Sequence, residues 1–136
     1  MRFLSFFAII LLFSCKEKEQ DDDYIWDSMT VTASAYNSTV AQTDGHPNLT
    51  AWGDSIRPGL KYIAVSRDLI RKGLKYNTPV IIEGFEGTYW VKDKMHQKWR
   101  NKIDIYMGTD IEAARKWGRR KVCIDYGIPI KKKQSN

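Results

Sequence analysis

The sequence predicts a mainly β domain, a small six-stranded barrel carrying two short helices. Three observations lead there. Apolar residues recur with a period of two in several short runs. Gly, Pro, Asn and Asp separate those runs. Only two stretches carry helix signals, and short strands with so little helix fit a barrel better than a sandwich or an alternating α/β sheet.

The first run begins at Thr30, where Val31, Ala33 and Ala35 alternate with Thr32, Ser34 and Tyr36 as in a half-buried strand. Residues 37–61 hold Asn, Gly, Pro, Ser and Asp throughout and read as a long structured loop, a length that goes with function in compact domains. Ile63-Ala64-Val65 is a short strand entering a helical turn, with Ser66 as N-cap and Gly73 as stop. Val80–Glu83 and Thr88–Lys92 form a hairpin around Gly84-Phe85-Glu86-Gly87. Lys102–Met107 is a further strand. Thr109-Asp110-Ile111-Glu112 spells a capping box for a helix that runs to Trp117 and stops at Gly118. Val122–Tyr126 is the last strand.

Ahead of these elements lies a different kind of segment. Arg2 is followed by Phe3–Phe13, apolar except for Ser5. That run is too short for a membrane span, which needs ~20 residues, and fits the apolar core of a signal peptide. It ends in Leu12-Phe13-Ser14-Cys15, which looks like a lipobox, with the Cys15 thiol as the nucleophile that takes the diacylglycerol. Residues 1–14 are thus expected to be a signal peptide and 15–29 a lipidated tether, beginning with the charge run KEKEQDDD. The barrel domain spans 30–127, and 128–136 form a basic tail. Acyl chains add ~0.8 kcal/mol per buried CH₂, so the mature protein is expected to stay membrane-bound in the cell envelope, at the outer membrane on its periplasmic or surface face.

Composition bounds the partners. A chain of 136 residues with 43% hydrophobic residues, five Trp and seven Tyr has material for one core but not two. The formal charge is +6, and +5 once Arg2 leaves with the signal peptide, which suits anionic partners. Nucleic acid is not among those an exported lipoprotein meets. With Cys15 lipidated, Cys123 stands alone in Val122-Cys123-Ile124 and reads as a buried thiol, so no disulfide is expected. His46 and His96 lie too far apart in sequence for ligand spacing. No metal or other cofactor is expected, and the domain reads as a monomer.

Several stretches, in order, match a known family. They are Thr32-Ala33-Ser34-Ala35-Tyr36, Thr50-Ala51-Trp52-Gly53, Ile63-Ala64-Val65, Asp93 followed eleven residues later by Asp104 in Ile103-Asp104-Ile105-Tyr106, and Ala114-Arg115-Lys116-Trp117-Gly118-Arg119-Arg120. This set resembles the 3D (three-aspartate) domain, similar to the catalytic domain of the membrane-bound lytic transglycosylase A family. The resemblance implies a double-psi β-barrel. It also implies cleavage of the β-1,4 bond between N-acetylmuramic acid and N-acetylglucosamine in peptidoglycan glycan strands, without water, by closing a 1,6-anhydro ring. One carboxyl must protonate the leaving oxygen and then take the proton of the C6 hydroxyl, while a second group stabilises the oxocarbenium-like transition state. By the resemblance Asp93 is the catalytic aspartate and Asp104 its supporting carboxylate, with Tyr36, Thr50 and Gly53 lining the groove.

Two departures stand out. The family's first aspartate, in an Asp-Pro pair, is replaced by Ser66-Arg67, which keeps the helix cap and loses a charge. After Asp93 the family's small glycine-containing turn becomes the bulky, basic segment from Lys94 to Lys102. There Trp99 offers a ring to stack on a sugar, and Lys98, Arg100 and Lys102 offer cations for lactyl or peptide carboxylates. Cations beside Asp93 also lower its pKa, the wrong direction for an acid. These departures keep open a second reading, a non-catalytic peptidoglycan-binding lipoprotein.

The anchor gives the first test. Cys15→Ala is expected to move the protein from the detergent phase to the aqueous phase in phase partitioning. Partitioning like wild type would overturn the lipoprotein reading.

Overall fold

A computed structural model describes residues 23–38 and 48–131. The expected signal peptide, Cys15, the start of the tether and His46 lie outside the described residues. The strands are β1 (Tyr24–Tyr36), β2 (Tyr62–Val65), β3 (Pro79–Ile82), β4 (Tyr89–Lys94), β5 (Lys102–Tyr106) and β6 (Arg120–Pro129). Helix α1 (Arg67–Arg71) follows β2, and α2 (Ile111–Trp117) follows β5.

The strands close into a barrel in the order β1-β5-β2-β4-β3-β6. Exchanging β1 with β4, β2 with β5 and β3 with β6 maps each pairing onto one of the same sense. β1–β5 and β4–β2 are parallel, β1–β6 and β4–β3 antiparallel, and the antiparallel pairs β2–β5 and β3–β6 map onto themselves. Two interlocked halves related in this way are the double-psi arrangement that the resemblance implies.

Alternation fills the inside. Val31 and Ala33, Ile63 and Val65, Val80 and Ile82, Ile103 and Ile105, and Val122 and Ile124 are buried from five strands and meet in one core. Each fully buried Val or Ile of this set contributes ~1.5–3 kcal/mol. Their strand neighbours point outward, which is how a six-stranded barrel acquires a polar face able to hold chemistry.

Four local readings differ from the sequence expectation. β1 begins at Tyr24, inside the stretch read as tether, because residues 24–33 pair with β6 down to Pro129. Backbone pairing, not apolar alternation, makes this part a strand. Cys123 is exposed rather than buried; it is the outward residue between the inward Val122 and Ile124. Asp110, not Thr109, is the N-cap of α2, its carboxylate accepting from the Ala113 N–H at 2.9 Å. Ser66 is the N-cap residue of α1 as expected, but its hydroxyl makes no cap hydrogen bond and instead accepts from the Lys102 N–H at 3.0 Å, joining the helix entry to β5. Among the described residues no helix is long and apolar enough to cross a membrane.

Where β6 passes β1 and β3 the packing leaves no room. A Cβ on Gly127 would lie 2.9 Å from Pro79 Cγ and 3.0 Å from the Tyr24 ring, both stiff groups. Gly127→Ala is therefore expected to destabilise the domain by ~1–3 kcal/mol in denaturant unfolding. An unchanged midpoint would contradict this barrel seam.

Candidate active site

The two aspartates reach one face by a route that the sequence does not reveal. β4 and β5 do not pair with each other; both pair with β2. Ala64 is the register partner of Asp93 on one side and of Asp104 on the other. Ser34 of β1 is in turn the partner of Asp104. Ser34, Asp104, Ala64 and Asp93 thus form one row across four strands, on the face opposite Ile63 and Val65. The smallest side chain of the row lies between the two carboxyls.

A bulge makes this possible. The β2–β4 register shifts between Ile63 and Ala64, so that Val91 faces Ile63 but Asp93, not Lys92, faces Ala64. Without the extra residue, strict alternation would turn Asp93 to the same side as the buried Val91. The bulge re-aims the carboxylate outward.

The loop that follows β1 then fixes Asp93. Residues 48–56 fold back on themselves: the Thr50 N–H donates to the Asp54 carbonyl at 2.9 Å, the Gly53 N–H to the Thr50 carbonyl at 3.0 Å, and the Asp54 N–H to Thr50 Oγ1 at 3.0 Å. Thr50 and Gly53 are thus builders of the turn. Gly53 has φ +85 with open space around it, so the turn needs glycine for its backbone and not for clearance. The tip presents the Ala51 N–H to Asp93 Oδ1 at 2.7 Å, and the Lys94 N–H reaches the same oxygen at 2.8 Å. The loop is held to β4 by Lys92, 3.4 Å from Asp54 Oδ1, and to Tyr76, whose hydroxyl donates to Asp54 Oδ1 at 2.9 Å and whose ring meets Trp52 edge-on at 5.3 Å.

Asp104 has a different environment. Loss of solvent around its carboxyl pushes the pKa above the ordinary range, and the charge of Asp93 adds to that push. The hydrogen bond from Ser34 Oγ, 2.9 Å to Oδ1, and the charges of Lys102 and Arg119 oppose it without cancelling it. Tyr36 lies one outward position further along β1. Its hydroxyl is shielded from water and has no hydrogen-bond partner among the described residues. Burial first, and then the charges of Asp93, Asp104 and Tyr106, hold its proton on. Tyr36 thus keeps a protonated hydroxyl within range of the charges of both carboxyls.

The basic segment is placed less as expected. Lys102 Nζ stands over the Trp99 ring, 3.8 Å from its centroid, so that face of the indole is covered by an ammonium and not open to a sugar. Arg100 turns back on its own loop, donating to the Gln97 and Trp99 carbonyls. Asn101 takes the positive φ of 47 that the tight turn before β5 requires. Ser34, Trp52, Tyr76 and Arg119 also stand at the site. Ser34 is visible in the sequence as an outward residue of β1, and Trp52 and Arg119 lie in stretches that carry the resemblance, while Tyr76 comes from a segment whose approach no local pattern encodes. Among the described residues no three His, Cys, Asp or Glu side chains converge to hold a metal ion.

The raised pKa of Asp104 has a stability consequence. The folded protein holds this proton more tightly than the unfolded chain, so the contribution to stability is full below the unfolded pKa, ~3.9, and is lost as pH rises through the folded pKa. Asp104→Asn keeps an acceptor for Ser34 and removes the charge. It is expected to melt above wild type at neutral pH, with the gain shrinking on acidification; melting below wild type at pH 7 would contradict the desolvation argument.

No protein-family model matches this sequence, and no curated protein does. Among solved structures, the chain is similar to an expansin of Clavibacter michiganensis, in a point-mutant form in complex with cellohexaose (TM-score 0.43, 16% identity, covering 81% of this chain and 54% of that one). It is similar also to the apo form of a Clavibacter michiganensis expansin (TM-score 0.43, 17% identity, 81% and 53%). The chain spans about half the length of these structures.

Proposed function

We propose that this protein is an envelope lipoprotein that cleaves the β-1,4 bond between N-acetylmuramic acid and N-acetylglucosamine in peptidoglycan as a lytic transglycosylase. The observation that carries the reading is the unequal pair of carboxyls in one outward row. Asp104 is partly buried and biased toward its acid form, while Asp93 is pinned by two backbone N–H groups. Two carboxyls with their environments pulled apart are what a glycosidic acid/base pair needs.

In this reading the roles are the reverse of those expected from the resemblance. The Asp104 acid protonates the leaving glycosidic oxygen as the C1–O bond breaks. Its carboxylate then takes the proton from the C6 hydroxyl, and that oxygen closes on C1 to give the 1,6-anhydro sugar. Asp93, held in place by the Ala51 and Lys94 N–H groups, stabilises the positive charge at C1. Tyr36 supplies a hydroxyl donor to the sugar between them. The lipid on Cys15 would hold the domain against its polymeric substrate.

The test incubates the full-length protein in detergent micelles with purified peptidoglycan and follows 1,6-anhydro muropeptides by mass spectrometry. Asp104→Asn is expected to lower turnover by ~10²–10⁴-fold, the usual worth of general acid catalysis. Asp93→Asn is expected to cost less, because an amide oxygen can still accept from both N–H groups. Full activity in Asp104→Asn would move the chemistry elsewhere. Wild type that pulls down peptidoglycan yet releases no anhydro product would make the protein a binding module.

A further inference from the structure

Beside Asp104 three cations converge on one ring. Lys102 Nζ, Lys98 Nζ and Arg119 Cζ lie 3.8, 5.0 and 5.6 Å from the Trp99 centroid. They come from the start of β5, the loop before it and the turn between α2 and β6. Lys102 is only 6% exposed. Among the described residues none of the three charged groups makes a hydrogen bond or an ion pair.

Such an arrangement is costly in the free protein. Burial, and then the charges of Arg119 and Lys98, hold the Lys102 ammonium below its ordinary pKa, and only Asp104 opposes them. Asp104 is itself pushed toward its neutral form. What keeps the cations together is the indole face, whose quadrupole is a weaker partner than a carboxylate. A planar guanidinium beside two ammonium groups matches a carboxylate, which can take the fork of one and the point charges of the others.

We propose that Lys98, Lys102 and Arg119 form around Trp99 a receptor for a carboxylate carried by the glycan next to the bond that reaches Asp104. The inference rests on the proposed peptidoglycan substrate, in which a carboxylate has two sources: the lactyl group of a peptide-free muramic acid, and the stem peptide. Trp99 then serves as the platform that gathers the cations, and the subsite selects an acidic glycan over a neutral one.

The test is calorimetric binding with the full-length protein in detergent micelles, in an Asp104→Asn background so that ligand is not consumed. The probes are a neutral N-acetylglucosamine oligomer, a peptide-free glycan of equal length with free lactyl carboxylates, and a peptide-bearing glycan whose lactyl groups are amidated. At least one charged glycan is expected to bind about tenfold or more tighter than the neutral oligomer, a step of ~1.4 kcal/mol. Preference for the peptide-free glycan assigns the lactyl source, and preference for the peptide-bearing one assigns the stem. Lys102→Gln and Arg119→Gln should each cut the charged-to-neutral ratio several-fold, and the exposed Arg119 and Lys98 keep the test usable should Lys102→Gln fail to fold. Lys75→Gln, on the exposed connection before β3, should leave the ratio alone. Equal binding of all three glycans, or an equal loss in Lys75→Gln, would overturn the receptor. Charge-dependent binding without anhydro product in wild type would remove the enzyme reading and keep the receptor; product formation with equal binding would do the reverse.

Discussion

The position of β2 between β4 and β5 is the constraint on which the rest depends. β2 is only four residues long, yet it is parallel to one carboxylate-bearing strand and antiparallel to the other. Its inward residues, Ile63 and Val65, fill the core, and the outward Ala64 sets the spacing of Asp93 and Asp104. A larger side chain there would stand between the carboxyls. The double-psi topology, by crossing each half of the chain through the other, is what brings two strands distant in sequence to the same neighbour.

Around that row the protein treats its two carboxyls unequally. Asp93 is met by backbone N–H groups from its own strand and from the 48–56 loop, donors that no side-chain rotation can withdraw. Asp104 is largely shielded from water and receives one hydroxyl. Keeping a carboxyl in such surroundings works against stability at neutral pH, a cost of the kind that functional sites carry. This asymmetry is the feature on which the proposed acid/base roles, and the exchange of roles between the two residues, rest.

The basic segment after Asp93 leaves the row of Ser34, Asp104, Ala64 and Asp93 intact. Its cations gather on Trp99 and lie next to Asp104, not in the row itself. Arg100, the residue most exposed to view in the sequence, is spent on its own loop, whereas Arg119 arrives from the far end of α2. Charge near a site matters by where it is held, and here the indole decides that.

The sequence by itself determined much of the barrel. The alternation at Val31-Ala33 and at Ile103-Ile105 named inward residues, because alternation is a local property of an extended chain, whereas the uniformly apolar runs at 63–65 and 80–82 marked strands without saying which side faces in. The hairpin around Gly84–Gly87, the second helix and the outward direction of Asp104 between two isoleucines were equally local, and so legible. Only the tertiary structure decided the first part of β1, since Tyr24–Thr30 is a strand through pairing with β6 and not through its own pattern. It decided the outward aim of Asp93 as well, since alternation from Val91 points that residue inward until the bulge against β2 reverses it. The desolvation of Asp104, the approach of Ala51 to Asp93 and the gathering of Lys98, Lys102 and Arg119 on Trp99 belong to the same class. Each is a meeting of segments far apart in the chain, fixed by barrel closure, and no window of sequence contains both partners.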